Sequence, residues 1–253
     1  MRFASIGSGS RGNGTLVEAG STCLLVDCGF SVAETCRRLA RLERSADDIT
    51  AVLVTHEHGD HLRGVAPLAR RYGLPVWMTA GTAIAAGDSA LPRLERINTH
   101  QPFCIGDIEI RPYPVPHDAR EPTQFVFCAA GKRLGLLTDA GCITDHICRS
   151  LDGVDGLILE TNHDEALLAQ GPYPPALKRR VGGRLGHLSN RQAAALLEQI
   201  DTASLQVLVA AHISEKNNCL HQARAALSGA LRHDPHWLTL ADQDTGFDWQ
   251  ALS

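Results

Sequence analysis

The segment VLVTHEHGDH, residues 52 to 61, places several metal-binding side chains close together, directly after an apolar run. They are His56, His58, Asp60 and His61. Successive side chains of an extended segment point in opposite directions, so the segment can present imidazole and carboxylate groups to two sides. The glycine between them lets the backbone turn tightly. We therefore predict two ions, with His56 and His58 serving one and Asp60 and His61 serving the other.

Two ions need further ligands, and three candidates lie at the ends of apolar segments. His117 follows YPVP, Asp139 follows LGLLT, and His212 follows VLVAA. Taken alone, each has an ordinary alternative: a packed or surface histidine, or an aspartate in a turn. Imidazole and carboxylate ligands suit zinc, manganese or iron. The sequence predicts two divalent metal ions per chain without choosing among these three.

Apolar runs of strand length alternate with helical patterns, which predicts a layered α/β fold. One helix is expected over residues 31 to 43, capped by Ser31. LLVDCG (24 to 29) is similar to GLLTDAG (135 to 141), and AVLVTH (51 to 56) to QVLVAAH (206 to 212). A duplicated half or a chance echo of strand endings explains these repeats. No linker interrupts the chain, so we predict one domain over residues 1–253.

Composition excludes several classes of protein. The eight cysteines form no CxxC pair, which favours buried, reduced thiols over a zinc ribbon or a redox motif. The start of the chain does not resemble a secretory signal, and no apolar run is long enough to span a membrane. The net charge of −4 gives no overall positive field for nucleic acid. We expect a cytoplasmic protein with no membrane partner.

THEHGDH resembles the T-H-x-H-x-D-H signature of the metallo-β-lactamase superfamily, and further motif positions follow in that family's order. The resemblance implies a four-layer αββα sandwich of two related halves. It implies one ion on His56, His58 and His117, and a second ion on Asp60, His61 and His212. It also implies that Asp139 bridges the two ions and that Asp27 orients a ligand from behind.

Other segments resemble one branch of the superfamily. SIGSGSRGNGTLVE, LETNHD, GPYPPALKRR, GHLSN and HISEKNN are similar to the YycJ/WalJ branch, whose members are described as metal-dependent 5′ to 3′ DNA exonucleases. GHLSNRQAAALL also resembles the histidine-led helix motif of transfer-RNA 3′-processing nucleases, where a glutamate pairs with the histidine. No long insertion resembles the clamp domain of the β-CASP nucleases, so short loops must hold any polymer.

The expected chemistry is phosphodiester hydrolysis. Two divalent ions about 3.5 to 4 Å apart lower the pKa of a bridging water and stabilise charge on a phosphoryl oxygen. Asp60 belongs to this catalytic centre as a ligand. His187, outside the ligand set, can protonate the leaving oxygen, and Glu160 can orient it. The alternatives are a helix-capping motif around HLSN and a buried, salt-bridged glutamate.

The expected substrate is single-stranded DNA or another nucleic acid, cleaved from its 5′ end. The oligomeric state is not predicted. Tyr173 can stack on a base, and basic side chains beside it can neutralise backbone phosphates. The backbone amides of the turn at Ser8 to Asn13 and of the helix start at Asn217 and Asn218 can hold a terminal phosphate. The predicted substrate contacts are Ser8, Asn13, Tyr173, Lys178, Arg180, Asn217 and Asn218. The basic run can also be a solvated loop, and the Gly-rich turn a hairpin. The alternative enzyme is a small-ester hydrolase, such as a cyclic phosphodiesterase, lactonase or thioesterase; a metal-stabilised binding protein is the non-enzymatic alternative.

Overall fold

Two mixed β-sheets form the centre of the computed structural model, which describes residues 1–87, 91–232 and 235–253. The first sheet has the order β14-β1-β2-β3-β4-β5-β6 and the second the order β13-β12-β11-β10-β9-β8-β7. The strands are β1 (Arg2–Gly7), β2 (Gly14–Ala19), β3 (Thr22–Val26), β4 (Ala51–Leu53), β5 (Val76–Thr79), β6 (Leu94–Ile97), β7 (Phe103–Ile105), β8 (Ile108–Pro114), β9 (Thr123–Ala129), β10 (Lys132–Leu137), β11 (Gly156–Glu160), β12 (Val207–Ala211), β13 (Leu238–Leu240) and β14 (Phe247–Ala251).

Helices cover the outer faces of both sheets. They are α1 (Val32–Arg41), α2 (Gly59–Leu62), α3 (Val65–Tyr72), α4 (Ala80–Ala86), α5 (Asp145–Leu151), α6 (Glu165–Gln170), α7 (Pro175–Val181), α8 (Asn190–Leu197) and α9 (Leu220–Leu231), with a short 3₁₀ helix at Ala46–Asp48. In the part of the chain that the structure describes, none of these helices has the length and apolar character needed to cross a bilayer.

Three apolar clusters hold the layers together. The central cluster lies between the sheets and includes Phe3 and Leu24 from the first and Phe125 and Leu134 from the second. A second cluster packs α5, α8 and α9 on the second sheet, and a third packs α1, α3 and α4 on the first. Every residue of β3 and of β11 is buried, as expected for strands covered on both faces. The predicted four-layer αββα sandwich is confirmed.

The two sheets have matching strand orders. β1, β2 and β3 are antiparallel and β3 to β6 are parallel, while β8, β9 and β10 are antiparallel and β10 to β13 are parallel. The first repeat seen in the sequence therefore marks equivalent strands, β3 and β10. The second repeat does not, because β4 adjoins β3 whereas β12 lies two strands from β10.

A local signal places the start of the first helix, α1, correctly. The hydroxyl of Ser31 accepts a hydrogen bond from the Glu34 amide at 3.3 Å and caps α1. The helix ends at Arg41, before the predicted residue 43, because the chain turns out of the helix at Glu43, where φ is 56°. The capping signal acts within a few residues, which is why the sequence reveals the start of the helix but not its end.

Candidate ligand and acid–base side chains lie where strands end. Asp27 follows β3, Asp139 follows β10 and His212 follows β12, and these three residues have φ of 61°, 56° and 53°. Residues other than glycine rarely adopt a positive φ, and such conformations concentrate at functional sites. Glu160 is the last residue of β11, and His56 follows β4 closely. These strand ends meet at one edge of the sandwich.

Gly29 permits the closest backbone approach at this edge. A Cβ atom added to Gly29 would lie 1.8 Å from the carbonyl oxygen of Asp60. We predict that Gly29→Ala lowers the free energy of unfolding by about 1–3 kcal/mol, because the loop that carries Asp60 must move away. In Gly229→Ala, the new methyl group meets nothing within 4 Å in α9, so this control should gain about 0.5–1 kcal/mol. Denaturant unfolding measures both; equal effects would contradict the packing argument.

Candidate metal centre

His56, His58 and His117 form the first group of candidate ligands. One nitrogen atom of each ring lies within 4.8 Å of the other two, and His117 Nε2 is 3.2 Å from His58 Nδ1. The other ring nitrogens have partners outside the group. His58 Nε2 is 3.2 Å from the Asp118 carbonyl oxygen, and His117 Nδ1 is 2.9 Å from the Gly186 carbonyl oxygen. Because a carbonyl only accepts, each of these nitrogens carries the proton, and the lone pairs of His58 Nδ1 and His117 Nε2 face the centre.

The tautomer of His56 is fixed through a hydroxyl group. Thr55 Oγ1 donates to Asp27 Oδ2 at 2.8 Å, so it accepts from His56 Nδ1 at 2.9 Å. His56 Nε2 then carries the lone pair. This atom is buried and has no hydrogen-bond partner among the described residues.

Asp60, His61 and His212 form the second group. Asp60 Oδ2 lies 3.5 Å from His61 Nε2 and 3.7 Å from His212 Nε2. Carboxylates hold the opposite sides of both rings: His61 Nδ1 is 2.8 Å from Asp27 Oδ2, and His212 Nδ1 is 3.4 Å from Glu160 Oε1. The Nε2 atoms of both histidines therefore point toward Asp60.

Asp139 joins the two groups. It forms a further candidate ligand set with His56 and His61, one residue from each group. Asp139 Oδ2 is 3.1 Å from His61 Nε2, an ion-pair distance that lacks hydrogen-bond geometry. The side chain is 2% exposed and is therefore shielded from bulk water.

The residues present fit divalent metal ions. Eight buried side-chain atoms have no hydrogen-bond partner among the described residues, and three of them, His56 Nε2, Asp139 Oδ2 and His212 Nε2, lie together in the candidate ligand sets. A buried polar atom without a partner costs about 1–3 kcal/mol, so native proteins keep few of them. Imidazole and carboxylate donors suit borderline and hard divalent ions. The donor set and its unpaired atoms together indicate metal binding.

Ionisation in the centre couples the carboxylates to the histidine rings. Burial opposes the charge on Asp139, yet His212 and His61 hold its pKa well below the ordinary value. Burial would lower the pKa of His212, but Asp139, Asp60 and Glu160 raise it to about 10. Without ions, protonated His61 and His212 therefore balance the charge of the carboxylates. Protons and metal ions compete for the same ring nitrogens, so metal affinity should rise with pH.

His187 and Glu160 form a pair beside the two groups. His187 Nδ1 is 2.7 Å from Glu160 Oε1, and Glu160 Oε2 accepts from the amides of Ala140 at 2.8 Å and Leu188 at 3.2 Å. Burial opposes the protonation of His187, but Glu160 raises its pKa. The helix-capping alternative also holds, because Ser189 caps α8 with Gln192. Capping does not use the His187 ring, which remains available for chemistry.

A cavity of about 340 Å³ opens onto the two groups and is lined by His58, Asp60, Asp139, His187 and His212. Tyr173 and Arg180 also line it, as the sequence predicted for substrate contacts.

Asp118, which sequence reasoning missed, lines the cavity as well. Its carboxylate lies 2.5 Å from Arg180 Nε and 3.5 Å from His117 Nε2. The only sequence signal was its position directly after His117.

Three predicted substrate contacts lie away from the cavity. Lys178 Nζ donates to the Ala169 carbonyl at 2.6 Å. Asn217 is fully buried, and its backbone amide donates to Ser214 Oγ at 3.2 Å. Asn218 Nδ2 donates to the Thr161 carbonyl at 2.9 Å. These groups hydrogen-bond within the protein, and none of the three lines the cavity.

Ser8 and Asn13 support the ligands instead of facing the cavity. Ser8 Oγ accepts from the His212 amide at 2.9 Å. Asn13 Nδ2 lies 3.0 Å from His61 Nε2 and 3.3 Å from Asp60 Oδ2. The amides of this Gly-rich turn already donate within the protein, as from Gly9 to Asn13 Oδ1 at 2.8 Å. The turn therefore positions ligands, and the expected phosphate cradle is not formed by these amides.

Comparison with known proteins identifies the family. Residues 22–213 match the family described as the beta-lactamase superfamily domain. The chain belongs to the metallo-β-lactamase superfamily. It is 35% identical to exodeoxyribonuclease YycJ of Bacillus anthracis, over 91% of this chain and 89% of the relative. It is 32% identical to exodeoxyribonuclease WalJ of Streptococcus pneumoniae, over 99% of this chain and 93% of the relative. The resemblance to the YycJ/WalJ branch is confirmed.

Solved structures agree with this superfamily fold. The metallo-β-lactamase fold protein YhfI from Bacillus subtilis superposes with a TM-score of 0.75 at 17% identity, covering 98% of each chain. At that identity the likeness shows the fold alone.

Asp27 lies behind the superfamily's ligand cluster and accepts from the Thr55 amide, the Thr55 hydroxyl and His61 Nδ1. We predict that Asp27→Asn lowers metal affinity about 10–100-fold, because the charge that orients His61 is lost. Asp107→Asn is the matched control, since this exposed aspartate accepts similar bonds from Ser21 far from the centre. Competition with a chromophoric chelator measures both variants. Equal affinities in Asp27→Asn and wild type would contradict the assignment.

Proposed function

We propose that the chain is a dinuclear-metal phosphodiester hydrolase that acts on DNA as a 5′ to 3′ exonuclease. The observation that carries the proposal is the convergence of ring nitrogens and carboxylate oxygens on one cavity, with each histidine ring held on its far side by a polar partner. The two relatives named exodeoxyribonucleases, aligned over most of both chains, support DNA as the substrate class.

Two ions are proposed, with zinc, manganese and iron all compatible with the donors. His56, His58 and His117 would hold one, Asp60, His61 and His212 the other, and Asp139 both. Bound there, the ions supply a nucleophile from water at neutral pH and neutralise charge on the phosphoryl group. The surrounding side chains fix the ligand geometry: Asp27 orients His61 directly and His56 through the Thr55 hydroxyl.

His187 is the proposed proton donor. Its Nδ1 is held by Glu160 Oε1, which leaves Nε2 as the nitrogen able to reach the leaving oxygen in the cavity that the ring lines. Glu160 favours the protonated ring and is itself fixed by two backbone amides. When the phosphodiester bond breaks, the proton on Nε2 passes to the departing oxygen and the ring becomes neutral.

Tyr173 and Arg180 are the proposed substrate contacts at the mouth. A base can stack on Tyr173, an interaction worth about 1–3 kcal/mol. Lys216 Nζ lies 5.8 Å from the centre of the Tyr173 ring and adds positive charge nearby. Arg180 is paired with Asp118, so its guanidinium is positioned at the mouth before substrate binds.

Small-ester hydrolysis remains the competing function. One observation favours it: of the predicted substrate contacts, only Tyr173 and Arg180 line the cavity, which gives a nucleic-acid polymer few contacts there. We also propose that the protein acts in the cytoplasm. Its eight cysteines are all free, which suits a reducing compartment.

We predict that the metal-loaded protein shortens single-stranded DNA from the 5′ end. With a 5′ label, mononucleotide should appear first; with a 3′ label, a ladder of shortening strands should appear. Arg180→Ala should slow DNA cleavage while hydrolysis of bis-p-nitrophenyl phosphate stays near wild type, because only the polymer extends past the mouth. Arg37→Ala, at an exposed arginine on α1, is the control. Hydrolysis of the small phosphodiester without any DNA cleavage, with zinc, manganese and iron each tested, would favour the competing function.

We predict that His187→Ala keeps its metal content but loses about 10²–10⁴ in the rate of DNA cleavage, the usual contribution of a positioned acid. Bis-p-nitrophenyl phosphate should be spared, because p-nitrophenolate leaves without a proton. His221→Ala, at an exposed histidine on α9, should behave as wild type. Loss of metal, or equal losses on both substrates, would remove His187 from the acid role.

A further inference from the structure

A second concave site lies outside the metal cavity, on the outer face of the second sheet. We call it the basic groove and define it by Arg111 of β8, Arg133 of β10, His146 and Arg149 of α5, and His100 from the loop before β7. Its volume is about 240 Å³. None of the proposed metal ligands or cavity residues contributes to it.

Positive charge in the basic groove is concentrated and little neutralised. The residues that line it include three arginines and two histidines but no aspartate or glutamate, in a chain with a net charge of −4. Within the described residues, Arg149 makes no hydrogen bond or ion pair. Arg111 pairs only with the exposed Glu109, and such a surface pair is weak. An anion would therefore find available guanidinium groups.

The central arginine is fixed but not satisfied. Arg133 Nη1 donates to the Asp152 carbonyl at 2.8 Å and Nη2 to the Ser150 carbonyl at 3.2 Å, which ties the side chain to the end of α5. Its Nε atom is buried and has no partner among the described residues. Carbonyl partners leave the positive charge in place, so the groove is organised around a cation that lacks a counter-ion.

The walls of the groove suit more than a bare anion. The rings of His100 and His146 lie 6.2 Å apart with an interplanar angle of 60°, and Pro102 and Pro112 add apolar surface. Guanidinium groups bind phosphate oxygens in pairs, and flat rings stack on bases. The combination matches a nucleotide unit of a strand.

The basic groove lies near the metal centre. Val126, which lines it, is three residues along β9 from Thr123, or about 10 Å at the usual rise of a strand. The Thr123 amide donates to the Thr55 carbonyl at 3.0 Å, beside His56. The strand β9 thus lines the groove at Val126 and contacts the segment that carries His56 at Thr123.

We propose that the basic groove binds phosphate groups of a single nucleic-acid strand and holds the part of the strand that lies outside the metal cavity. The choice of nucleic acid over a free phosphate compound rests on the proposed function. The groove supplies the grip that the cavity mouth lacks.

Binding of a fluorescent single-stranded DNA to metal-stripped protein in EDTA tests this proposal without cleavage. Arg149→Ala should weaken binding about tenfold, as expected for a charge-assisted contact. It should also reduce the slope of log affinity against log salt by about 0.7. Arg149→Lys should retain most of the affinity, because the charge remains. Arg37→Ala is the control for net charge and should change neither quantity. Arg111→Ala, on β8, should weaken DNA binding and reduce the salt slope in the same way as Arg149→Ala.

The outcomes separate the two proposals. Equal effects of Arg149→Ala and Arg37→Ala on DNA binding would overturn the proposal that the groove binds DNA, even if the protein proves to be an exonuclease. Selective loss of DNA binding in Arg149→Ala would support the groove, even if no DNA cleavage is found. If Arg149→Ala weakens binding of dAMP but leaves DNA binding unchanged, the groove takes free nucleotides and the proposal is wrong.

Discussion

The buried carboxylate of Asp27 is the contact on which the rest of the centre depends. It accepts hydrogen bonds from the Thr55 amide, the Thr55 hydroxyl and His61 Nδ1. Through the hydroxyl it also sets the tautomer of His56. One charge thus orients candidate ligands of both groups, and these bonds offset the cost of keeping it 3% exposed.

The second half of the molecule uses a different device for the same task. Asp139 occupies the position equivalent to Asp27, at the end of β10, and has nearly the same left-handed backbone conformation. Yet Asp139 faces the centre, and the orienting carboxylate comes from Glu160 on the next strand. Equivalent aspartates in two matched halves have therefore taken different positions, one behind the ligands and one among them. This asymmetry places Asp139 among the proposed ligands and Glu160 beside His187, the proposed proton donor.

Sequence reasoning succeeded where the information is local or carried by a strong motif. The cluster of candidate ligands after β4, the cap at Ser31 and the sandwich fold were all predictable, because each depends on residues close in sequence or on a recognised signature. Lys178 and Asn218 do not line the cavity, and the sequence did not show this because their partners, Ala169 and Thr161, are set by how the chain folds back. The basic groove was not predicted, since its cations come from four separate segments and form no charged run.

Two divalent ions in two distinct positions are the central claim. Anomalous diffraction from crystals of the metal-loaded protein tests it most directly. The account predicts two peaks, one among His56, His58 and His117 and the other among Asp60, His61 and His212, with Asp139 touching both. A fourth set of donors, on Asp139, Glu160, His187 and His212, is close enough to hold an ion instead. A single peak within that set would contradict the account, because Glu160 and His187 would then be ligands and could not supply the proton.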